Sequence, residues 1–128
     1  MPHFDMPKKS SIRAFKTAWF RKAAKKARIG DAVLKAAILE VIQGQADDLG
    51  GGMLKKRLND KLHRSIVLAK GGRYWVFAYL FALKDRANID LDELADFRRL
   101  AQVYGRMTDV ELASALGQGD LQELIHDE

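Results

Sequence analysis

The hydrophobic pattern of this chain changes period at a run of three glycines, Gly50, Gly51 and Gly52. Before the run, apolar residues recur every three or four positions, which is typical of one face of a helix. After it they alternate or form short continuous runs, which is typical of strands. A chain of 128 residues is within the size of one domain. The order of the two patterns therefore predicts a single α+β domain in which helices pack on a mostly antiparallel sheet.

The part before the glycines is predicted to form a flexible tail, a strand and two helices. In that order they cover residues 1–11, 12–17, 18–27 and 32–43, and one domain spans residues 12–128. Thr17 and Asp31 are expected to cap the helices, because their side-chain oxygens accept hydrogen bonds from free backbone N–H groups. The buried faces are expected to be Trp19, Phe20, Ala23, Ala24 and Ala27, then Val33, Ala36, Ala37, Ile38, Val41 and Ile42. Because few residues separate the helices, they form an α-hairpin on one face of the sheet.

The part after the glycines is predicted to form strands first and helices last. The strands cover residues 53–58, 62–69 and 73–83, a glycine turn joins the last two, and a short edge strand covers residues 121–125. A third helix, which Asp90 or Asp92 caps, runs to about Tyr104, and Thr108 starts a capping box for a fourth helix over residues 109–116. The sheet is expected to have about four strands.

The aromatic residues of the last long strand and the glycine run are each open to a structural and a ligand-binding interpretation. Trp75, Phe77 and Tyr79 lie on the last long strand and are expected to be sheet core rather than surfaces for base stacking. The glycine run is interpreted as a flexible joint between a helix and a strand, with a phosphate-binding loop as the alternative.

Positive charge is concentrated in the first part of the chain. Up to Trp75 there are 17 Lys and Arg against 6 Asp and Glu, a net charge of +11, and the remaining residues have 5 against 11, a net charge of −6. This asymmetry favours a polyanionic or acidic partner for the first part, and a solvated basic helix face beside an acidic tail is the alternative.

Several classes of protein are excluded by what the sequence lacks. It has no cysteine, which excludes disulfides and thiolate catalysis and fits a cytoplasmic protein. No apolar run approaches the ~20 residues that span a bilayer, so no membrane association is expected. Nucleotide-binding glycine motifs are missing and the three histidines are scattered, so the sequence predicts no cofactor and no metal site.

Basic residues on and after the predicted strands form the strongest candidate site. They are Lys55, Lys56, Arg57, Arg64, Lys84 and Arg86. Alternation places Lys55 and Arg57 on one face of their strand, and Lys56 on the opposite face or at the margin of the core. Neighbouring cations that repel one another indicate an anion site, whereas an exposed sheet edge protected by lysine is the alternative.

Two segments carry a resemblance to a known family. The first is Asp48-Leu-Gly-Gly-Gly-Met-Leu-Lys-Lys-Arg57, and the second is Phe81-Ala-Leu-Lys-Asp-Arg-Ala-Asn-Ile89. They resemble the LGGGxxKKR and KxxRANI segments of a subgroup of RelE-like toxins from type II toxin–antitoxin systems, except that here a single residue, Asp85, separates Lys84 from Arg86. The order of the predicted elements over residues 12–124 is similar as well, so the chain resembles the RelE/ParE superfamily along nearly its whole length.

The resemblance implies a toxin that acts as a metal-independent, ribosome-dependent endoribonuclease, cleaving mRNA and inhibiting translation in the bacterial cytoplasm. It implies three partners: a cognate antitoxin, the ribosome and mRNA. The residues that match the family's catalytic positions are Lys55, Arg57, Arg64 and Lys84, and the residues expected to bind RNA are Lys22, Lys25, Lys26, Lys56 and Arg86. The alternative is a non-enzymatic toxin that binds and poisons DNA gyrase, as ParE relatives do.

These residue types suit RNA cleavage in which the 2′-hydroxyl attacks the adjacent phosphate. A lysine crowded by other cations can give up its proton and act as a base, which assigns that role to Lys55. An arginine can donate two hydrogen bonds to a phosphate as charge builds on it, which assigns that role to Arg64. Arg57 and Lys84 are expected to position the RNA.

Overall fold

A computed structural model of the chain describes residues 12–70 and 74–126. The predicted tail and the predicted glycine turn (residues 71 and 72) lie outside the described residues. The elements are β1 (Arg13–Thr17), α1 (Ala18–Lys26), α2 (Asp31–Ile42), β2 (Asp47–Gly50), β3 (Met53–Leu58), β4 (His63–Lys70), β5 (Tyr74–Ala82), α3 (Leu91–Gly105), α4 (Asp109–Gln118) and β6 (Leu121–His126). The predicted α+β class is confirmed. No helix in the described part of the chain is long and apolar enough to cross a membrane.

The described strands form one sheet in the order β2-β3-β4-β5-β1-β6. Neighbouring strands are antiparallel, except that β1 and β5 run parallel. The predicted count of about four strands is wrong, because the sheet has six and β2 was not predicted. The long strand β5 lies between β4 and β1, which confirms its central position, and β6 is the predicted edge strand.

The glycine run forms the turn that connects β2 to β3. Gly51 and Gly52 have φ angles of +62° and +83° and form the two-residue loop between β2 and β3, a conformation that favours glycine. The Asp48 carboxylate accepts a hydrogen bond of 2.8 Å from the Gly50 amide at the start of this turn. The interpretation of the run as a joint between a helix and a strand is therefore wrong.

The helices cover both faces of the sheet. On one face, α1 and α2 bury an apolar cluster in which Phe20 stacks on Phe77 with 4.9 Å between ring centroids. On the other face, α3 and α4 pack over a second cluster that includes Phe15, Met53 and Ile66. The predicted α-hairpin on one face is confirmed, and the core consists of two layers separated by the sheet.

Three of the predicted helix caps are present. The Thr17 hydroxyl accepts a hydrogen bond of 3.0 Å from the Phe20 amide. Asp90, rather than Asp92, is the N-cap of α3, and Thr108 is the N-cap of α4, each within a capping box. The fourth helix continues to Gln118, beyond its predicted end.

The predicted start of α2 and part of its buried face are wrong. Gly30 is the N-cap, and Asp31 is the first helical residue. The Asp31 carboxylate instead accepts a hydrogen bond of 2.7 Å from the ammonium of Lys16, a charged partner that competes with a capping role. Leu34 is fully buried, whereas Val33 is 45 % exposed, so the side of α2 that faces the sheet is rotated relative to the prediction. Ala36 and Ile42 are exposed with Val33.

Candidate active site

The basic residues of β3 divide between the two faces of the sheet. Met53 packs in the cluster beneath α3, and alternation places Lys55 and Arg57 on that same face. The buried side chain of Lys56 points the other way, where its ammonium donates a hydrogen bond of 3.0 Å to the Gln45 carbonyl. The predicted face assignment is therefore confirmed.

Arg57 and Arg64 are direct partners in the register of β3 and β4. Side chains in such positions have Cβ atoms about 4.5–5.5 Å apart, and like charges there destabilise a sheet. The Arg64 guanidinium donates hydrogen bonds of 2.9 and 3.1 Å to the carbonyls of Lys61 and His63. Because these acceptors are uncharged, they do not neutralise Arg64. Within residues 12–70 and 74–126, no ion pair neutralises either arginine.

The loop between β3 and β4 depends on Arg64 for part of its structure. Asn59, Asp60 and Lys61 have φ angles of +53°, +52° and +70°, a left-handed region that asparagine and aspartate adopt more readily than lysine. The bond from Arg64 to the Lys61 carbonyl holds the end of this strained segment. Arg64 is therefore fixed close to the backbone of the loop rather than extended freely into solvent.

An acidic residue that the sequence analysis missed lies beside Lys55. Asp47 of β2 is the cross-strand partner of Lys55, and both residues line a groove of about 320 Å³ together with Lys56 and Arg57. We refer to it as the edge groove. The sequence signal for this contact is the hairpin pattern in which aspartates precede paired glycines and a strand.

Lys84 and Arg86 follow β5 and line a second groove, of about 460 Å³, with Lys26 of α1. We refer to it as the α1 groove. Phe81, which also lines it, is the cross-strand partner of Arg64. The predicted site residues are therefore distributed over two grooves, with Arg64 on the strand that separates β3 from β5. Lys22 and Lys25 are exposed on α1 and line neither the edge groove nor the α1 groove.

A family model described as the RelE toxin of the RelE/RelB toxin–antitoxin system matches residues 12–124. The chain belongs to the RelE family. This match confirms the resemblance found in the sequence. The protein is therefore a toxin of a toxin–antitoxin system, and toxins of the RelE family pair with RelB-like antitoxins. A comparison with curated proteins found no match, and neither did a comparison with solved structures.

In this RelE-family toxin, Arg86 is engaged by a carboxylate. Its guanidinium forms two hydrogen bonds with Glu93, one of them 3.0 Å long, and a third of 3.3 Å with the Tyr79 hydroxyl. Hydrogen bonds from Arg86 and then from the Asp90 amide lower the pKa of Glu93 from 4.5 to about 2. The same pair raises the pKa of Arg86. Arg86 therefore joins the end of β5 to the start of α3.

Replacing Glu93 with glutamine is expected to remove a pH-dependent part of the toxin's stability. A carboxylate whose pKa is lowered in the folded state stabilises the protein above its unfolded pKa, near 4.5, and this contribution is lost as the pH falls toward about 2. The difference in the free energy of unfolding between wild type and Glu93→Gln should therefore shrink between about pH 6 and about pH 3. Urea denaturation at each pH measures it.

The matched control is Glu111→Gln. Glu111 occupies the same position in the capping box of α4, and hydrogen bonds from the Thr108 backbone and side chain lower its pKa, but no arginine pairs with it in the described residues. Its substitution should produce a smaller pH dependence. Equal pH dependence in the two variants would contradict the role given to Arg86.

Proposed function

We propose that this toxin is a ribosome-dependent endoribonuclease that cleaves mRNA and so inhibits translation. The observation that carries the proposal is the opposed pair Arg57 and Arg64, whose charges no ion pair within the described residues neutralises. Two guanidinium groups placed opposite each other destabilise a sheet unless an anion lies between or above them. A phosphodiester removes the repulsion and accepts hydrogen bonds from both.

The proposed reaction is an attack within the RNA itself. The 2′-oxygen forms a bond to the adjacent phosphorus, and the bond from that phosphorus to the 5′-oxygen of the next nucleotide breaks. Lys55 is proposed to take the proton of the 2′-hydroxyl, and water gives a proton to the 5′-oxygen as it leaves. The products are a 2′,3′-cyclic phosphate and a 5′-hydroxyl end.

The remaining basic residues stabilise and position the RNA. Arg64 donates hydrogen bonds to the phosphate oxygens as negative charge builds on them. Arg57, which is exposed, and Lys84, which lines the α1 groove, bind the phosphates on either side. Lys56 and Arg86 are assigned no part in the reaction, because Glu40 and Glu93 already engage their charged groups.

The proposed targets, mRNA and the ribosome, place the action of the toxin in the bacterial cytoplasm. The exposed lysines of α1 support contact with ribosomal RNA, since lysines bind phosphates without reading sequence. They are Lys22, Lys25 and Lys26.

The test is to incubate the purified protein with ribosomes that carry a defined mRNA and to map the 5′ ends of the RNA by primer extension. We expect new ends within the ribosome-bound part of the message and none in the same RNA without ribosomes. A gyrase assay for trapped DNA cleavage, run in parallel, covers the alternative. Trapped gyrase–DNA complexes without new mRNA ends would contradict the ribonuclease proposal and favour a gyrase poison.

A further inference from the structure

Trp19, in the first turn of α1, is exposed although it belongs to the apolar stripe of that helix. Half of its surface (51 %) is open to solvent, whereas Trp75 in the sheet is 6 % exposed. The indole ring stacks on Tyr79, with 4.8 Å between ring centroids and an interplanar angle of 21°. The indole lines the α1 groove beside Lys26. An exposed tryptophan held flat against a second ring is a ready stacking surface for another planar group.

The rings beneath Trp19 are held in place from several directions. Tyr79 also contacts Phe97 of α3, with 5.4 Å between ring centroids. The Tyr79 hydroxyl accepts a hydrogen bond from Arg86, which Glu93 holds in turn. A stacking surface that is already ordered loses little side-chain entropy when a ligand binds.

The charge of the α1 groove suits a polyanion. Lys26 and Lys84 are exposed, and neither forms an ion pair with another described residue. Asp85 is the one acidic residue among the described residues that line the groove. Lysines beside an exposed aromatic ring are the combination that binds single-stranded nucleic acid, because phosphates meet cations while bases stack on the ring.

The α1 groove is lined by neighbours of Arg64. Phe81 lines the groove and is the cross-strand partner of Arg64. His63, which also lines the groove, directly precedes Arg64 on β4. We infer that an RNA strand whose phosphate lies at Arg64 extends past His63 and Phe81 into this groove.

We propose that Trp19 stacks on an RNA base next to the cleaved phosphate and that Lys26 and Lys84 bind the adjoining phosphates. The location relative to the cleaved phosphate rests on the ribonuclease proposal. The stacking itself does not, since it follows from the exposed indole, its ordered partner Tyr79 and the two lysines. The occupant is a single-stranded RNA segment, because its bases must be unpaired to stack.

Tryptophan fluorescence tests the stacking directly. The Trp75→Phe variant leaves Trp19 as the only tryptophan of the chain, and an oligoadenylate of about ten nucleotides is titrated into it. We expect quenching of Trp19 emission as the bases stack. An oligomer of the same length with abasic sugars retains the phosphates and should quench far less.

Binding measurements on variants complete the test. With a labelled oligoadenylate, Trp19→Ala is expected to weaken binding about fivefold to a hundredfold, the usual effect of losing one base–aromatic stack, and Trp19→Phe should lose less. Leu39→Ala is the matched control, because Leu39 is also 51 % exposed but lies on α2 and lines neither groove. Its affinity should equal that of the wild type.

These titrations contain no ribosome and measure no cleavage, so their result is separate from that of the ribonuclease assay. If the wild type showed no cleavage on the ribosome, the ribonuclease proposal would be wrong, but quenching of Trp19 by oligoadenylate would still be expected. Absence of binding, binding without quenching, or equal quenching by the abasic oligomer would show that the stacking proposal is wrong. Unchanged affinity of Trp19→Ala for oligoadenylate would also show that the stacking proposal is wrong. The exposed indole would then be a candidate contact for a protein partner.

Discussion

Replacing Arg64 with alanine is expected to lower the rate of mRNA cleavage on the ribosome by at least ~100-fold. Its guanidinium is proposed to donate hydrogen bonds to the phosphate as negative charge builds in the transition state. Loss of one such donor costs about 3 kcal/mol of transition-state stabilisation. Single-turnover cleavage at saturating ribosome concentration measures the effect on chemistry without contributions from binding.

Two companion variants separate chemistry from folding. Arg64 also donates to the carbonyls of Lys61 and His63, so alanine loosens the loop, at a cost of roughly 1 kcal/mol for a typical hydrogen bond. Arg64→Lys keeps the charge without the two-pronged geometry and should retain only part of the activity. Arg106→Ala, at an exposed position after α3, should cleave at the wild-type rate. A folded Arg64→Ala protein with full activity would remove the main support for the ribonuclease proposal.

The face assignment on β3 could be predicted because alternation is a local property of a strand. Lys55 and Arg57 lie on one face of β3 and Lys56 lies on the opposite face. This alternation does not depend on which strands are its neighbours in the sheet. The caps at Thr17 and Thr108 were predictable for the same reason, since a hydroxyl and an amide three residues apart form the contact. Local geometry thus determined most of the elements and the faces on which Lys55, Lys56 and Arg57 lie.

The contacts that complete the site are long-range and could not be predicted in this way. β2 contains Asp47, Asp48 and Gly50, which are poor strand formers, and its conformation comes from pairing with β3. That pairing brings Asp47 beside Lys55. The contact of Arg86 with Glu93 of α3 is also long-range, and RNA binding by Arg86 stays a prediction.

Trp19 shows how a correct local pattern still leads to a wrong burial prediction. The apolar stripe of α1 specifies which side of the helix faces the sheet, and Phe20 and Ala24 are indeed buried. The stripe does not specify how far the sheet extends beneath it. β1 ends at Thr17, so the first turn of α1 lies past the end of its neighbouring strand, where Trp19 meets Tyr79 and remains half exposed.

Replacing Lys22, Lys25 and Lys26 together with glutamine is expected to weaken ribosome binding and to flatten its dependence on salt. All three side chains are exposed on α1. Each lysine that binds a phosphate displaces a counterion, which contributes about 0.9 to the slope of log affinity against log salt. Loss of three contacts should therefore reduce the slope by roughly two to three units. Ribosome affinities of wild type and variant at several salt concentrations measure it, with the exposed Lys35→Gln of α2 as the control.

The three lysines differ in their position relative to the α1 groove, so their contributions can be measured separately. Lys26 lines the α1 groove with Trp19, whereas Lys22 and Lys25 line neither that groove nor the edge groove. The double variant of Lys22 and Lys25 should therefore lose about two units of slope and still cleave at the wild-type rate when the ribosome is saturating. A gyrase poison has no reason to show this salt effect on ribosomes, because its target is a protein surface. Unchanged affinity and slope in the triple variant would mean that the basic side of α1 is a solvated face, and the ribosome would then lose its support as the target.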